Sequence, residues 1–395
     1  MPDISIESGT FVGGITTTEE ERSKIVNEGK IQGGEWHNSD ISQYIDKSKN
    51  TIIVYKDKDG KEYQVIVPIK DTQWSKSIAE AASQEEGLQY ADVEESEEVK
   101  TDTKVEFVHV EEGLTVTVDN DAVLDAGTLM LEKDAQIVVK PGATLIISGE
   151  QGAYTFDENS LLVETSEANP GLLLINPAVV LNTTPKSTVK FISKSYRNDA
   201  EDKQFQYFGT PMVGEITSMT WDEEEGKNYK TQLDVWNGSA WDRIGISDND
   251  GKGFDYTKFN QQGFGFYAIL SSNPEGVNLT YTIQGNLAGN TNAEIALPTD
   301  WNAISNAYMG KLNKQALLSY LKTQKENGLA GSVYEYEDCG EVLVWTATNA
   351  IRKGKDIDPM MPLMFYNGSG ETKNVELNYA NLVYNPATGA NPPAA

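Results

Sequence analysis

The side chains that most often carry chemistry are few in this chain and stand far apart. There are two histidines, His37 and His109, and one cysteine, Cys339. Zinc sites need clustered nitrogen or sulfur ligands, and a cysteine–histidine nucleophile needs both groups within hydrogen-bond distance. The two histidines fall in different predicted segments, and neither has a cysteine nearby in the sequence. We therefore expect neither type of site, and we interpret His109 as a surface-facing strand residue.

Acidic clusters are the next candidates for chemistry. Paired carboxylates can hydrolyse glycosidic bonds, and the densest run of acids is 222–225, which we interpret as a solvated loop. Residues 248–255 resemble part of a calcium loop because oxygen-bearing side chains alternate there. Lys252 stands where a further acid would be needed, and no bidentate glutamate follows at the usual distance. We expect no catalytic residues, no bound metal and no cofactor.

Aromatic residues of the C-terminal half form a candidate binding surface. They are Trp221, Trp236, Trp241, Phe264, Phe266 and Tyr267. Phe264 and Phe266 alternate along one strand, so both rings point to the same face, and in a sandwich that face is usually the core. Two interpretations stay open, a core cluster or a platform on which sugars stack. For the second, the surface candidates are Trp221, Trp236 and Trp241.

The charge of the chain argues against two classes of partner. Its 395 residues include 32 Lys and Arg against 60 Asp and Glu, a formal net charge of −28. Such a chain repels phosphate backbones and anionic membrane surfaces. We expect no nucleic-acid partner and no membrane partner. With neither a secretory signal nor an apolar run of spanning length, the sequence predicts a soluble protein made in a cytoplasm.

The second half of the sequence contains an internal repeat. The segment that begins at Phe205 aligns with the segment that begins at Trp301, and further aromatic landmarks follow in the same order. Two copies of roughly 100 residues fit two small β domains in tandem. We assign them to 186–290 and 291–395 and predict that each folds as a β-sandwich.

The first half divides into an anchoring region, 1–104, and a stalk, 105–185. The anchoring region contains a predicted hairpin at 51–69, a helical pattern at 72–84 and an acidic stretch at 85–102, which we interpret as a linker. The stalk has short strands at tight spacing, typical of a β-solenoid or β-roll. An antiparallel meander remains the alternative. The fold class is therefore mainly β.

The repeated block resembles a module of surface-exposed and secreted proteins of Bacteroidota. That module has a strand–turn with an aromatic start, a later aromatic strand and an alternating closing strand. The matching segments are 208–211, 262–267, 301–308 and 359–365. Ser305 stands in place of the module's Gly, and Ala307 in place of its Pro. The resemblance implies a fold more than a function.

The order of an N-terminal anchoring region, a repetitive β stalk and two globular β domains resembles that of the head or tail fibres of crAss-like phages. Such a resemblance implies a non-enzymatic virion structural protein, a capsid-attached head fibre exposed on the capsid exterior. Residues 1–104 would bind capsid proteins, the chain would form a homotrimer or alternatively a homodimer, and the β domains would contact host surface glycans. The alternatives are a bacterial cell-surface adhesin that binds glycans and a tail fibre with polysaccharide depolymerase activity.

Overall fold

The protein, in a computed structural model, is built mainly from β-strands, as the sequence predicts. The structure describes residues 10–12, 35–37, 41, 44–45, 50–56, 62–68, 74–84, 89–119, 121–149, 160–165, 169–179, 186–193, 196–197, 203–222, 227–259, 265–274, 276–325, 328–338, 343–347 and 356–384. Much of the predicted anchoring region, the acids at 223–225, Phe264 and Cys339 lie outside these residues. A β-solenoid of about three turns is present, which confirms the predicted solenoid.

The chain separates into two compact units. Unit 1 comprises Met1–Leu162 and Ile175–Pro185, and unit 2 comprises Val163–Leu174 and Lys186–Ala395. The predicted end of the stalk, at residue 185, falls where unit 1 ends. The finer division into four segments stays a prediction.

Unit 1 combines a small N-terminal sheet with the solenoid. Its elements are β1 (Thr10–Val12), β2 (Glu35–His37), β3 (Asn50–Lys56), β4 (Glu62–Pro68), α1 (Ile78–Ala82), β5 (Tyr90–Val93), β6 (Glu97–Val99), β7 (Thr103–Val110), β8 (Thr115–Val118), β9 (Val123–Leu131), β10 (Gln136–Val139) and β11 (Thr144–Ile147). The small sheet has the order β1-β2-β4-β3, and the predicted hairpin is the antiparallel pair β3–β4. Two further strands, β12 (Leu161–Glu164) and β13 (Leu172–Ile175), span the division between the units.

The solenoid strands pair in parallel, which excludes the antiparallel meander. The strands β11-β9-β7-β5 follow one another in one sheet, and β10-β8-β6 do so in another. Ile137 is aligned with Val116, and Leu145 with Leu124, so equivalent positions are 21 residues apart. All four of these side chains are fully buried. Each coil therefore places apolar side chains on those of the next, as stacked repeats require.

The solenoid turns repeat as regularly as its strands. Gly113 and Asp134 both have positive φ, and they occupy equivalent places in successive coils. Each is the third residue of a four-residue turn, in which the amides of Leu114 and Ala135 donate to the carbonyls three residues earlier at 3.2 and 3.0 Å. Positive φ at the third position is the geometry of a type II turn, which favours Gly or Asn and admits Asp.

The acidic linker predicted at 85–102 is wrong for its C-terminal part, because β5 and β6 belong to the solenoid. Tyr90 is aligned with Phe107 of β7, and Glu97 with Val116 of β8, both in parallel. Val93 and Val99 are buried, whereas the acids between them lie at half-buried or exposed positions. The acids of this segment occupy positions that point outward, and their number makes the alternating apolar positions hard to recognise in the sequence.

A short aromatic cluster covers the N-terminal end of the solenoid. The ring of Trp74 lies 4.9 Å from that of Tyr90 and 5.3 Å from that of Phe107. Ser75 forms a parallel bridge with Ala91, and helix α1 follows directly. Terminal repeats of a stacked fold need such a cover because no further coil buries their apolar side.

Unit 2 contains the repeated block. Its elements are β14 (Lys186–Ser193), β15 (Tyr196–Arg197), β16 (Lys203–Gln204), β17 (Gln206–Phe208), β18 (Met212–Trp221), β19 (Thr231–Trp236), β20 (Trp241–Ser247), α2 (Tyr256–Phe259), β21 (Tyr267–Ser271), β22 (Leu279–Leu287), β23 (Ala293–Leu297), β24 (Asp300–Ser305), α3 (Lys314–Thr323), β25 (Leu329–Asp338), β26 (Leu343–Ala347), β27 (Pro362–Asn367), β28 (Lys373–Leu377) and α4 (Tyr379–Leu382). Helix α3 begins at a capping asparagine, since Asn313 Oδ1 accepts a hydrogen bond from the amide of Ala316 at 2.7 Å.

The two copies contain sheets of the same topology. One has the order β17-β21-β19-β20, and the other has the order β24-β27-β25-β26, with all neighbours antiparallel. Phe208 is paired with Tyr267 in the first, and Ile304 with Leu363 in the second. The opening and closing strands of each copy also pair, β14 with β22 and β23 with β28.

The register of the repeat differs from the one that the aromatic landmarks predict. Aligning the landmark Val235-Trp236 of the first copy with Val333-Tyr334 of the second makes the two valines equivalent, but the sheets make Leu233 the equivalent of Val333. The landmark residues are similar in type but do not occupy equivalent positions. Aromatic residues stand at neighbouring positions of these strands, so the sequence can be aligned on the wrong one.

Candidate functional site

A groove lined by aromatic rings lies between the two repeated sheets of unit 2. Its volume is about 200 Å³. The lining residues are Tyr207, Trp236, Trp241, Phe266, Trp301, Ala303 and Met364. The first four belong to the first copy, and the other three belong to the second. We call this feature the aromatic groove.

The first-copy wall is built on the hairpin of β19 and β20. Trp236 and Trp241 face each other across its end, with ring centroids 5.5 Å apart and planes at 67°. The connecting turn is held by Asn237, whose side-chain oxygen accepts the amides of Ser239 and Ala240 at 3.0 and 2.9 Å. Because the turn fixes the strand register, it also fixes which tryptophans are opposite each other.

Trp241 is held by further rings but keeps a large exposed area. Tyr207 stacks on it, with centroids 5.5 Å apart and planes at 10°, and Phe266 lies at 5.1 Å. Even so, 39% of Trp241 is exposed to solvent. Burial raises the pKa of the Tyr207 phenol above its usual value, so this side chain is neutral at physiological pH. The wall is therefore a positioned, uncharged aromatic surface.

The second-copy wall presents another exposed tryptophan. Trp301 is 47% exposed, and its ring lies 5.2 Å from that of Tyr366, its cross-strand partner on β27. Ala303 and Met364 are the next pair on the same face and complete this side of the groove. Each wall of the groove therefore carries one large, exposed aromatic side chain, Trp241 on the first and Trp301 on the second.

The groove exists because the two copies approach each other closely at one point. The amide of Gly209 donates to the carbonyl of Met360 at 2.7 Å, and Ser305 Oγ donates to the carbonyl of Gly265 at 2.8 Å. A Cβ atom on Gly209 would lie 1.9 Å from Ser305 Cβ, so no side chain fits there. Gly209 and Ser305 occupy equivalent places in the repeat, one residue after the equivalent Phe208 and Ile304.

Charged and amide side chains lie beside the tryptophan pair on the same hairpin. Asp234 of β19 is opposite Arg243 of β20, the next pair on that face. The buried carboxylate of Asp234 accepts hydrogen bonds from Arg243 Nε and from Gln232 Nε2. The Arg243 side chain is 49% exposed. The hairpin face thus combines an aromatic surface with an oriented cation.

The structure separates the three tryptophans that the sequence grouped as surface candidates. Trp236 and Trp241 line the aromatic groove, and their role in binding stays a prediction. Trp221 is instead 4% exposed, packs 5.4 Å from the ring of Tyr281, and donates its indole N–H to the carbonyl of Tyr229 at 3.1 Å. Trp221 is two residues from the fully buried Met219 on β18, so both side chains lie on the same face of the strand and point into the core.

The sequence missed Tyr207, Trp301, Met364 and Arg243 as neighbours of the groove. The repeat contained one usable signal, since Trp301 begins the aligned segment of the second copy and strand alternation places it on the same face as Ala303. The close approach of the two copies is a long-range contact that no local pattern reveals.

His109 is not a surface-facing strand residue, which corrects the sequence interpretation. It is 7% exposed, with Nδ1 2.7 Å from an oxygen of Asp92 and Nε2 3.4 Å from an oxygen of Glu132. Parallel stacking brings Asp92 of β5 directly beside His109 of β7. The side chain is therefore enclosed by the neighbouring coils and by two carboxylates.

The loop at 248–255 is held by ion pairing of its own residues. Lys252 Nζ lies 2.7 Å from a carboxylate oxygen of Asp250, where a calcium loop would need a ligand for its cation. Across the described parts of the chain, no three His, Cys, Asp or Glu side chains are grouped as metal ligands would be.

Comparisons with models of protein families, with curated proteins and with solved structures give no match for this chain. The fold and the aromatic groove are therefore the features from which a function can be inferred. Among the helices of the described residues, none has the length and apolar character needed to cross a membrane.

Proposed function

We propose that this protein is a non-enzymatic attachment protein whose aromatic groove binds host surface glycans. The observation that supports the proposal is the pair of exposed tryptophans, Trp241 and Trp301, on the two walls of one groove. Sugars have apolar C–H faces that pack on aromatic rings, while their hydroxyl groups stay hydrated or bind polar neighbours. A groove of about 200 Å³ is smaller than the ~300–1,000 Å³ of sites for drug-sized ligands, which suits single sugar rings.

We further propose that the protein acts on a phage particle, as a capsid-attached head fibre on the capsid exterior. The support is the resemblance of the repeated block to surface modules, together with a β-solenoid, a fold that builds repetitive stalks. In this proposal residues 1–104 bind capsid proteins, and three copies of the chain associate. The alternative, a bacterial cell-surface adhesin, shares the groove and differs in location.

A glycan array probed with full-length protein tests the groove. We expect Trp241→Ala and Trp301→Ala each to lower affinity about tenfold or more, since ring stacking contributes on the order of 1–3 kcal/mol. Ile246→Ala is the matched control, because Ile246 is also an exposed large side chain but does not line the groove. Unchanged binding by both tryptophan variants would exclude the groove as the glycan site.

Antibodies against residues 186–395 test the location. Labelling of intact phage particles is the expected result. Labelling of bacterial cells without particles would favour the adhesin, and absence of label from both would remove the attachment role. The mass of full-length protein in solution checks the trimer independently, with a dimer as the alternative outcome.

A further inference from the structure

We propose that the glycan bound by the aromatic groove carries a carboxylate group and that Arg243 binds this group. The inference rests on the proposed glycan binding, and it names the sugar class as acidic sugars of the uronic acid type.

Arg243 lies within reach of a ligand in the groove. Trp241 and Arg243 are two residues apart on β20, so their side chains point to the same face, roughly 7 Å apart along the strand. On β19, Trp236 lies opposite Trp241, and Asp234 lies opposite Arg243. A sugar stacked on Trp241 would therefore have its neighbouring substituents beside the guanidinium group.

The guanidinium group is oriented by a buried acid. Asp234 is 6% exposed, and both its carboxylate oxygens are occupied, one by Arg243 Nε and the other by Gln232 Nε2 at 2.6 Å. Asp234 is thus a positioning residue that holds Arg243 through a single nitrogen. The terminal nitrogens make no hydrogen bond to the described residues, and the side chain is 49% exposed. They are left to face solvent or a ligand.

Guanidinium geometry favours a planar anion as the ligand. Two parallel N–H donors match the two oxygens of a carboxylate, which gives short charge-assisted hydrogen bonds. On the opposite face of β20, Asp242 is paired with Lys258 at 2.9 Å, so these two charges compensate each other. Asp234 balances the charge of Arg243 but leaves its outer donors open. A monovalent carboxylate suits this site better than a polyanion, which a chain of net charge −28 repels.

An array that carries uronic-acid oligosaccharides beside their carboxyl-reduced counterparts tests the inference with full-length protein at ~0.15 M salt. The paired probes differ in the carboxylate alone. We expect the acidic forms to bind about tenfold more tightly or better, as charged hydrogen bonds imply. Arg243→Gln should abolish this preference, so that the acidic forms bind no more tightly than the reduced forms, whereas Arg243→Lys should retain part of it.

Two further variants keep the outcomes distinguishable. Lys252→Gln removes one exposed positive charge elsewhere in the unit and should leave the preference intact. Trp241→Ala should weaken binding of acidic and reduced forms alike. Equal binding of both forms by the wild-type protein, or a preference that survives Arg243→Gln, would overturn the carboxylate assignment while leaving the groove as a glycan site. Equal preference for sulfated sugars would also overturn it, and a blank array would remove the proposed function itself.

Discussion

The solenoid and the repeated sheets both arise from repetition, but they use it in opposite ways. In the solenoid, equivalent residues of successive coils bury one another, as Val116 and Ile137 do. In the repeated sheets, the two copies leave the large rings of Trp241 and Trp301 exposed on either side of a groove. A repeat thus stabilises the fold when its equivalent faces meet, and it leaves large rings exposed around a groove when two copies meet at one narrow point.

The largest expected effect is in the solenoid interior. Ile137→Ala should lower the free energy of unfolding of unit 1 by about 2–5 kcal/mol, because it opens a cavity between coils. Trp301→Ala should change the stability of unit 2 by less than about 1 kcal/mol, since the ring is 47% exposed. Denaturant unfolding monitored for each unit measures both, with Ile137→Val as a conservative control. Equal losses of stability for the two alanine variants would contradict this difference between the solenoid interior and the groove.

An intermediate effect is expected where the two copies meet. Gly209→Ala places a methyl group against Ser305, and we expect a loss of about 1–3 kcal/mol in stability together with weaker glycan binding, because the sheets must move apart. Adding Ser305→Gly should restore part of both properties. A double variant no better than Gly209→Ala alone would show that the steric contact is not what sets the groove. Thermal unfolding and array binding provide the two readouts.

The smallest expected effect is a pH dependence in the first coil. The carboxylate of Glu97 accepts the amide of Ile78 at 2.8 Å, but burial outweighs this bond and raises the carboxyl pKa above its usual value. A raised pKa favours folding in acid, and this contribution is lost as the pH rises through the folded-state pKa. Glu97→Gln should therefore gain stability relative to wild type as the pH rises from about 4 to 7.

The control for this prediction is Glu95→Gln at an exposed position two residues away. This variant removes an exposed carboxylate rather than a half-buried one, so it controls for the change of charge itself. We expect the Glu97→Gln difference to be below about 1 kcal/mol, because the carboxyl is half-buried. A difference that falls as the pH rises would contradict the assigned direction of the pKa shift. Denaturant midpoints at several pH values are the measurement.

The solenoid could be predicted from sequence because its signals are local. Short apolar strands alternate with turns that need positive φ, as at Gly113, and the period is regular. The first coil was missed because Val93 and Val99 are separated by acids whose charge dominates the composition. The sequence indicated solvation there, and the inward alternation could be recognised only from the neighbouring coils.

The candidate site was predictable only in part. Trp236 and Trp241 flank an Asn-Gly turn, so a hairpin with two facing rings follows from the sequence. Whether Trp221 is buried stayed open because the sequence gives its strand but not which face of that strand is covered. Trp301 was missed because it lines the site only where two distant segments meet. Arg243 was missed because its position depends on pairing with Asp234 across the hairpin.

The contact between Gly209 and Ser305 has a consequence for the history of this chain. The two residues hold equivalent places, so a newly duplicated gene would have placed the same residue at both. Two serines would clash, and two glycines would lack the hydrogen bond from Ser305 to Gly265. The present shape of the groove therefore depends on a difference between the two copies at this one pair of equivalent places.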